Sequence, residues 1–351
     1  MRMNINGRAS GFNSPNRFEK LHLEPIEADV QHDDDTLVLP TTFYNDTSKS
    51  ILARNDSPDL DFTYSINPYR GCEHGCIYCY ARPSHEYLGF SAGLDFETRI
   101  MVKQDAPLLL EKELQKKNWQ PQMVAFSGNT DCYQPVERKL QLTRKCLEVF
   151  LKYRNPVGLI TKNALVTRDI DILQEMTRLN LVHVMLSITT LDADLARAME
   201  PRTSSPMNRL ATLEALSKNG IMAGVNVAPI IPGLTDEEIP NILRAAAEHG
   251  ATSAGYILLR LPGPVEPLFL DWLNRKMPAK AGRIINRIKD TRKGEMSDSR
   301  FGMRMNGEGE IAMAIQTLFK LSAQKYNLAK RWSGLSTQHF RGESKSQMNM
   351  F

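Results

Sequence analysis

Gly71-Cys72-Glu73-His74-Gly75-Cys76-Ile77-Tyr78-Cys79-Tyr80 sets three cysteines at a C-x3-C-x2-C spacing, with an aromatic residue just before the last. Three thiolates on one short loop can hold three irons of a 4Fe-4S cube. The fourth iron then has no protein ligand, and a small molecule can bind and react there. Gly71 and Gly75 suit such a loop, because backbone wrapped tightly round a cluster takes up angles that glycine adopts without strain. The same cysteines with His74 or His85 could instead form a Cys3His zinc site. Zinc sites usually come as two spaced pairs, however, and no second Cys/His pair is present. Five cysteines, an odd number in 351 residues, argue against a disulfide framework.

Outward from this loop, short apolar runs alternate with amphipathic helical stretches. The apolar runs predict strands over Tyr64–Tyr69, Met123–Ser127, Val157–Thr161, Val182–Ile188, Ala223–Ile230 and Ser253–Leu259. Helices are predicted over Pro107–Lys117, Glu137–Tyr153, Asp169–Asn180, Met207–Asn219 and Asp236–His249. Near-continuous apolar strands separated by helices indicate an α/β fold with a parallel sheet. Six such units predict a partial, TIM-like (β/α)6 barrel, although an open doubly wound sheet has the same periodicity. In either architecture chemistry belongs at the C-terminal strand ends.

Residues 1–60 are expected to form an irregular N-terminal leader with an acidic run, Asp33-Asp34-Asp35. Within it Thr42-Phe43-Tyr44 and Ile51-Leu52 are apolar enough to dock on the domain. The barrel is expected over 61–261. After Pro262-Gly263-Pro264 a mostly helical, basic extension is expected over 262–330, with helices at Glu266–Lys276, Lys280–Lys293 and Gly309–Lys325. Residues 331–351, rich in Ser, Gln and Met, read as a disordered tail.

Hydrophobic content of 42% and charged content of 24% are those of a globular chain that can bury a full core. No apolar stretch is long enough to span a bilayer. The polar N-terminus has no secretory h-region, and unpaired cysteines suit a reducing cytoplasm. The net charge of +4 hides an asymmetry: from Asp271 onward there are 16 Lys and Arg against 7 Asp and Glu. That third could meet phosphates, or could simply present solvated helix faces.

At the strand ends, Ser127-Gly128-Asn129-Thr130-Asp131-Cys132 offers small and polar residues that let backbone approach a ligand, or a plain turn before a helix. Lys162 after the third strand could bind a carboxylate or lie in solvent. Ser187, late in the fourth, could bind a ribose or hydrogen-bond its neighbours. Asn226 interrupts the apolar fifth strand and, if buried, must be hydrogen-bonded to ligand or strand. Glu200-Pro201-Arg202 and Arg209 form a charged cluster ahead of the next helix.

The cysteine spacing resembles the radical SAM superfamily, in which S-adenosylmethionine chelates the fourth iron. The order of further segments is similar to the spore photoproduct lyase-like branch of that superfamily, often labelled DNA repair photolyases. These segments are Asn67-Pro68-Tyr69-Arg70-Gly71-Cys72, Cys79-Tyr80-Ala81-Arg82-Pro83, Ile160-Thr161-Lys162, Leu186-Ser187-Ile188, Glu200-Pro201, Arg209 and Asn226-Val227-Ala228-Pro229-Ile230. The likeness runs from about Tyr64 to Leu261.

The resemblance implies that Cys72, Cys76 and Cys79 ligate the cluster. It implies that Lys162 and Ser187 contact S-adenosylmethionine in its carboxylate region and that the strand end Ser127-Gly128-Asn129 holds the methionine amino group; Asn226 is a further candidate contact. Tyr78 and Tyr80 match tyrosines implicated in radical transfer, and packing against the cluster would also account for them. The branch has a hydrogen-donating cysteine where this chain has Asn129; Cys132, three residues on, is the candidate donor, or else a packed thiol. Cys146 reads as core.

These expectations describe a radical SAM enzyme that cleaves S-adenosylmethionine reductively and abstracts hydrogen from a substrate. Nucleic acid is the candidate substrate, on the resemblance and on the basic residues Arg300, Arg304 and Arg287–Lys293. A reductant of the flavodoxin or ferredoxin type is implied. The alternative is a non-catalytic nucleic-acid-binding protein stapled by zinc or a fully ligated cluster. A fourth protein ligand, His74 or His85, would favour that alternative.

Overall fold

The computed structural model describes residues 5–18, 39–329 and 334–342. Its ten strands are β1 (Thr42–Asn45), β2 (Leu52–Arg54), β3 (Tyr64–Ile66), β4 (Tyr69–Arg70), β5 (Arg99–Val102), β6 (Val124–Phe126), β7 (Val157–Thr161), β8 (Val182–Ser187), β9 (Ala223–Ile230) and β10 (Ala254–Leu258). Seven of them form one sheet in the order β10-β9-β8-β7-β6-β3-β2. All its neighbours are parallel except β2, which runs antiparallel to β3. Each successive parallel strand is added on the same side of the last, so the sheet winds in one direction, the strand order of a barrel wall. Among the described residues no ladder joins β10 back to β3.

Apolar, β-branched runs form these strands because both of their faces are covered. No residue of β7, β8 or β9 is exposed. The outer cover comes from helices Ala106–Leu114, Leu142–Tyr153, Ile170–Arg178, Pro206–Lys218 and Ile239–Glu248. Phe126, Phe150, Leu159, Val184 and Val225 lie in the main core cluster between sheet and helices.

Three departures from the sequence pattern have local causes. The predicted strand Tyr64–Tyr69 stops at Ile66, because Pro68 has no N–H for a ladder. Tyr69 and Arg70 instead pair with β5 in a second sheet of order β1-β5-β4. The predicted helix Glu137–Tyr153 is broken at Gln141, whose φ is 55°. A short helix, Ala193–Met199, lies between β8 and the next long helix, started by Asp192, whose carboxylate accepts from the amides of Asp194 and Leu195.

The segment expected to be irregular carries β1 and β2, and its described residues before β1 are tied down as well. Arg8 donates to the Glu97 carbonyl at 2.7 Å, and Asn16 donates to the Glu86 and Phe90 carbonyls at 3.0 and 3.1 Å. The acidic run at 33–35 lies outside the described residues. Helices Val265–Lys276, Pro278–Asp290 and Glu310–Lys325 make the C-terminal extension. Its buried Leu268, Phe269, Trp272 and Ile284 share a second core cluster with Ile77 and Tyr78 of the cysteine loop. Of the expected tail, residues 334–342 are described, and they dock. Ser336 and Arg341 donate their amides to the carbonyls of Asn180 and Tyr153, at 2.8 Å each. The remainder, 343–351, lies outside the described residues.

Candidate active site

The cysteine loop follows β4 and packs over the C-terminal ends of the parallel strands. Gly71 and Gly75 have φ of 79° and 67°. A side-chain carbon on Gly75 would stand 2.8 Å from Glu97 Oε2, so the loop closes on a buried carboxylate there. Cys72 and Cys76 are buried; Cys79 is partly exposed. The loop's carbonyls converge on Arg82, which is wholly buried. Its guanidinium donates to Gly75 O at 3.1 Å, to Cys76 O at 3.0 and 2.9 Å, and to Ala92 O and Gly93 O at 3.0 and 2.9 Å. It also pairs with Glu97 at 2.6 Å. Three residues past the last cysteine, an arginine in sequence alone looks like any other; only its distant partners Ala92 and Glu97 reveal that it clamps the loop.

A carboxylate outside the loop organises its mouth. Asp131 accepts from the Thr161 hydroxyl and the Lys162 amide, both at 2.8 Å, and faces His74 Nδ1 at 3.3 Å. Burial pushes the Asp131 carboxyl up. The charge and hydrogen bond of His74, with the amides of Lys162 and Tyr133, outweigh that and hold it at about 2. The other His74 nitrogen, Nε2, lies 3.1 Å from Asn163 Nδ2. His85 is buried between the rings of Phe90 and Phe96. Among the described residues no three His, Cys, Asp or Glu side chains, the loop cysteines included, converge on one metal-ion position.

The predicted charged cluster is a scaffold. Arg209 and Glu200 form an ion pair with both side chains buried. Glu200 also accepts from the Tyr78 hydroxyl and, at 2.7 Å, from Thr189, while Arg209 donates to Ser187 O at 2.9 Å. Tyr78 is thereby locked between the cysteine loop and the end of β8. The Lys162 ammonium lies 5.8 Å from the centre of the Tyr78 ring. Ser187 and Asn226 are register partners on β8 and β9, with Gly255 beside Asn226 on β10.

Tyr80 takes the opposite course and is 46% exposed. Its hydroxyl donates to Gly128 O at 2.7 Å, and the Arg260 guanidinium lies 5.7 Å over its ring. Arg260 follows β10, so Tyr80 spans from the end of β6 to the end of the last strand. Asn67, ahead of the loop, accepts from the amides of Asn129 and Thr130 at 2.9 and 3.2 Å, and Ser127 takes a φ of 72°. These contacts shape the β6 turn. Cys132 lies on the other side of that turn: it is wholly buried in the main core, and burial pushes its thiol far up. The candidate hydrogen donor is thus packed inside the core rather than presented at the mouth.

The basic extension is also more balanced than its composition suggests. Arg300 pairs with Asp298 and Glu308, Arg304 with Asp59, Lys293 with Glu308 and Arg287 with Asp236.

Residues 66–246 match the model of the radical SAM superfamily. The chain belongs to the radical SAM superfamily. An uncharacterized protein of Mycobacterium tuberculosis (strain ATCC 25618 / H37Rv) is 36% identical over 245 residues, 69% of this chain and 72% of the relative. One of Methanocaldococcus jannaschii is 32% identical over 176 residues, 50% of this chain and 63% of the relative. Among solved structures, a spore photoproduct lyase mutant superposes with a TM-score of 0.58 at 17% identity, over 84% of this chain and 81% of that one. Spore photoproduct lyase complexed with dinucleoside spore photoproduct gives 0.56 at 16% identity, over 83% and 80%. These likenesses show a shared fold. As a radical SAM protein the chain is an enzyme, and the cofactors of its family are a 4Fe-4S cluster and S-adenosylmethionine.

The loop fits that cluster in the chemistry of its donors. Burial, ahead of all other influences, pushes the three thiols up, and the neighbouring cysteines add to it for Cys72. Lys162 and Arg209 oppose the shift at Cys76, as do Arg82 and Lys162 at Cys79. Bare thiols so placed stay protonated, whereas a cationic iron centre would supply the charge that holds them as thiolates.

Proposed function

We propose that Cys72, Cys76 and Cys79 hold a 4Fe-4S cluster whose fourth iron takes S-adenosylmethionine, and that the enzyme abstracts hydrogen from a nucleic-acid substrate. The observation that carries this reading is the engagement of His74 by Asp131 on one side and Asn163 on the other. Within the loop His74 is thereby engaged, which leaves the three thiols as its ligands. When bound, the two cofactors supply reductive cleavage of a sulfonium bond and a 5′-deoxyadenosyl radical.

The chain's own residues orient and enclose. Lys162, fixed through its amide to Asp131, would offer its ammonium to the carboxylate of S-adenosylmethionine. Ser127, Gly128 and Asn129 would bring the β6 turn close to the methionine amino group. Ser187 and Asn226, level on adjacent strands, would meet the nucleoside. Tyr78, tied to Glu200 and Thr189, would close the site against water. Tyr80 and Arg260 stand where a substrate would enter. A nucleic-acid substrate is supported by the lyase fold, one of whose structures holds a dinucleoside photoproduct, and by Arg260, whose guanidinium lies over the exposed Tyr80 ring. We divide the chain into a leader (1–60), the radical SAM barrel (61–261), a helical extension (262–330) and a tail (331–351). A cytoplasmic flavodoxin or ferredoxin would supply electrons.

Anaerobic reconstitution with iron and sulfide, then dithionite and S-adenosylmethionine, tests the reading. About four irons per chain and 5′-deoxyadenosine are expected, and Cys72→Ala should abolish the nucleoside. A folded Cys72→Ala protein that keeps a full cluster and cleaves S-adenosylmethionine overturns the ligand assignment. Zinc retained in place of iron, with no deoxyadenosine, overturns the enzyme's proposed chemistry. Binding to single- and double-stranded DNA and to RNA should weaken steeply with salt. Undetectable binding at low salt removes nucleic acid as the substrate.

A further inference from the structure

One face of the molecule, next to the cysteine loop, is unusually aromatic. Tyr87 is 72% exposed and Phe18 53%, with ring centroids 4.8 Å apart and Arg17 over both. Beside them Tyr44 of the edge strand β1 meets Phe90 at 5.8 Å, and Arg99 lies over Phe90 at 5.2 Å. Exposed rings in such number mark an interaction surface, and Tyr, Phe and Arg are the residues enriched at interfaces.

The face has an interior continuation. The Phe90 ring packs on His85 at 5.2 Å, and His85 meets the edge of Phe96 at 5.6 Å. Phe96 shares a buried cluster with Cys72 and Ala81, with Cys79 against it. His85 also lies against Gly71, the residue before Cys72. Ring thus follows ring from solvent to the cysteines.

The charges there are turned outward by burial of their partners. Arg17 is 50% exposed, whereas its Glu86 is 1% exposed. The corresponding values are 47% and 14% for Arg99 and Asp95, and 40% and 8% for Arg70 and Asp46. Each pair is neutral in sum but presents its guanidinium to solvent.

We propose that this face is the docking surface for a small acidic one-electron donor protein of the flavodoxin type, with Phe90, His85 and Phe96 as the packed route inward. The proposal rests on the cluster assignment above. One electron passes from the partner's reduced flavin, oxidised by one equivalent, to the cluster, reduced by one. No bond in this chain forms or breaks. Positive charge over an aromatic patch suits a redox encounter, which is small, steered electrostatically and weakened by salt.

Calorimetric titration with an acidic flavodoxin tests this on both apoprotein and cluster-loaded enzyme. Wild type should bind both, less tightly as salt rises. The double variant Phe18→Ala/Tyr87→Ala and the separate variant Arg99→Glu should each bind at least tenfold more weakly. Both should slow cluster bleaching by reduced flavodoxin to the same extent and leave bleaching by dithionite unchanged. Unchanged affinity and bleaching in both variants overturns the proposal. So does loss of oligothymidylate binding with flavodoxin binding intact, which would make the face a nucleic-acid platform. If wild type assembles no cluster, the cluster assignment falls, and the apoprotein titration still decides whether this face docks flavodoxin.

Discussion

Arg82 reaches the carbonyl oxygen of Cys76 with two of its nitrogens, Nε at 3.0 Å and Nη2 at 2.9 Å. Among the described residues no other side chain grips the cysteine loop at so many points, and it does so from a position with no contact with solvent.

Removing this clamp should cost both stability and cluster. Arg82→Ala leaves Glu97 buried without its cation, a change that typically costs about 3–5 kcal/mol. Arg82→Lys restores one charge but not the planar fork, so it should recover part of the stability and little of the iron. Urea unfolding and iron content per chain are the measurements. Wild-type iron in a folded Arg82→Ala protein would show that the loop holds its shape without the clamp.

The two tyrosines flanking Cys79 should behave differently. Tyr78→Phe strips a buried carboxylate, Glu200, of one donor and should destabilise by about 1–3 kcal/mol. Tyr80→Phe loses a bond at the rim and should shift stability by no more than about 0.5 kcal/mol. If Tyr80 acts at the mouth, its variant should slow product formation with deoxyadenosine release preserved. Equal stability losses in urea titrations would contradict the contrast in their surroundings.

Stability should fall on mild acidification. Burial holds His183 and His85 at about 4, against an ordinary 6.5. Folded chains therefore keep both rings neutral where unfolded chains protonate them. Their full contribution is present above pH 6.5 and is lost as pH falls towards 4, by up to roughly 3 kcal/mol for each fully shielded ring. Urea unfolding of the apoprotein at pH 7 and pH 4.5 measures the slope, and His183→Gln should flatten it.

Much of the barrel was legible because its signal is local. Val157–Thr161 and Ala223–Ile230 are strands with the limits that their apolar runs predicted. β1 was not, since all four of its residues are exposed and no burial pattern marks it. At the site, residue spacing brought the three cysteines into view, but not Arg82, whose partners Ala92 and Glu97 lie 10 and 15 residues on, nor Arg260, whose ring partner Tyr80 is far away in sequence. The basic extension misled for the same reason: Asp59, which neutralises Arg304, lies 245 residues earlier. Cys132 misled through proximity, since three residues past Asn129 the chain has already turned into the core.

The second core cluster ties the enzyme's readiness to the order of its synthesis. Ile77 and Tyr78 share that cluster with Trp272, Phe269 and Ile284, which leave the ribosome about two hundred residues later. At about 5–20 residues per second, that gap lasts roughly 10–40 s. Until it closes, the cysteines have no finished wall behind them, and a nascent chain carries exposed thiols. Iron and sulfide delivered to a released chain would meet a pocket; delivered sooner, they would meet a loop open to water and oxygen.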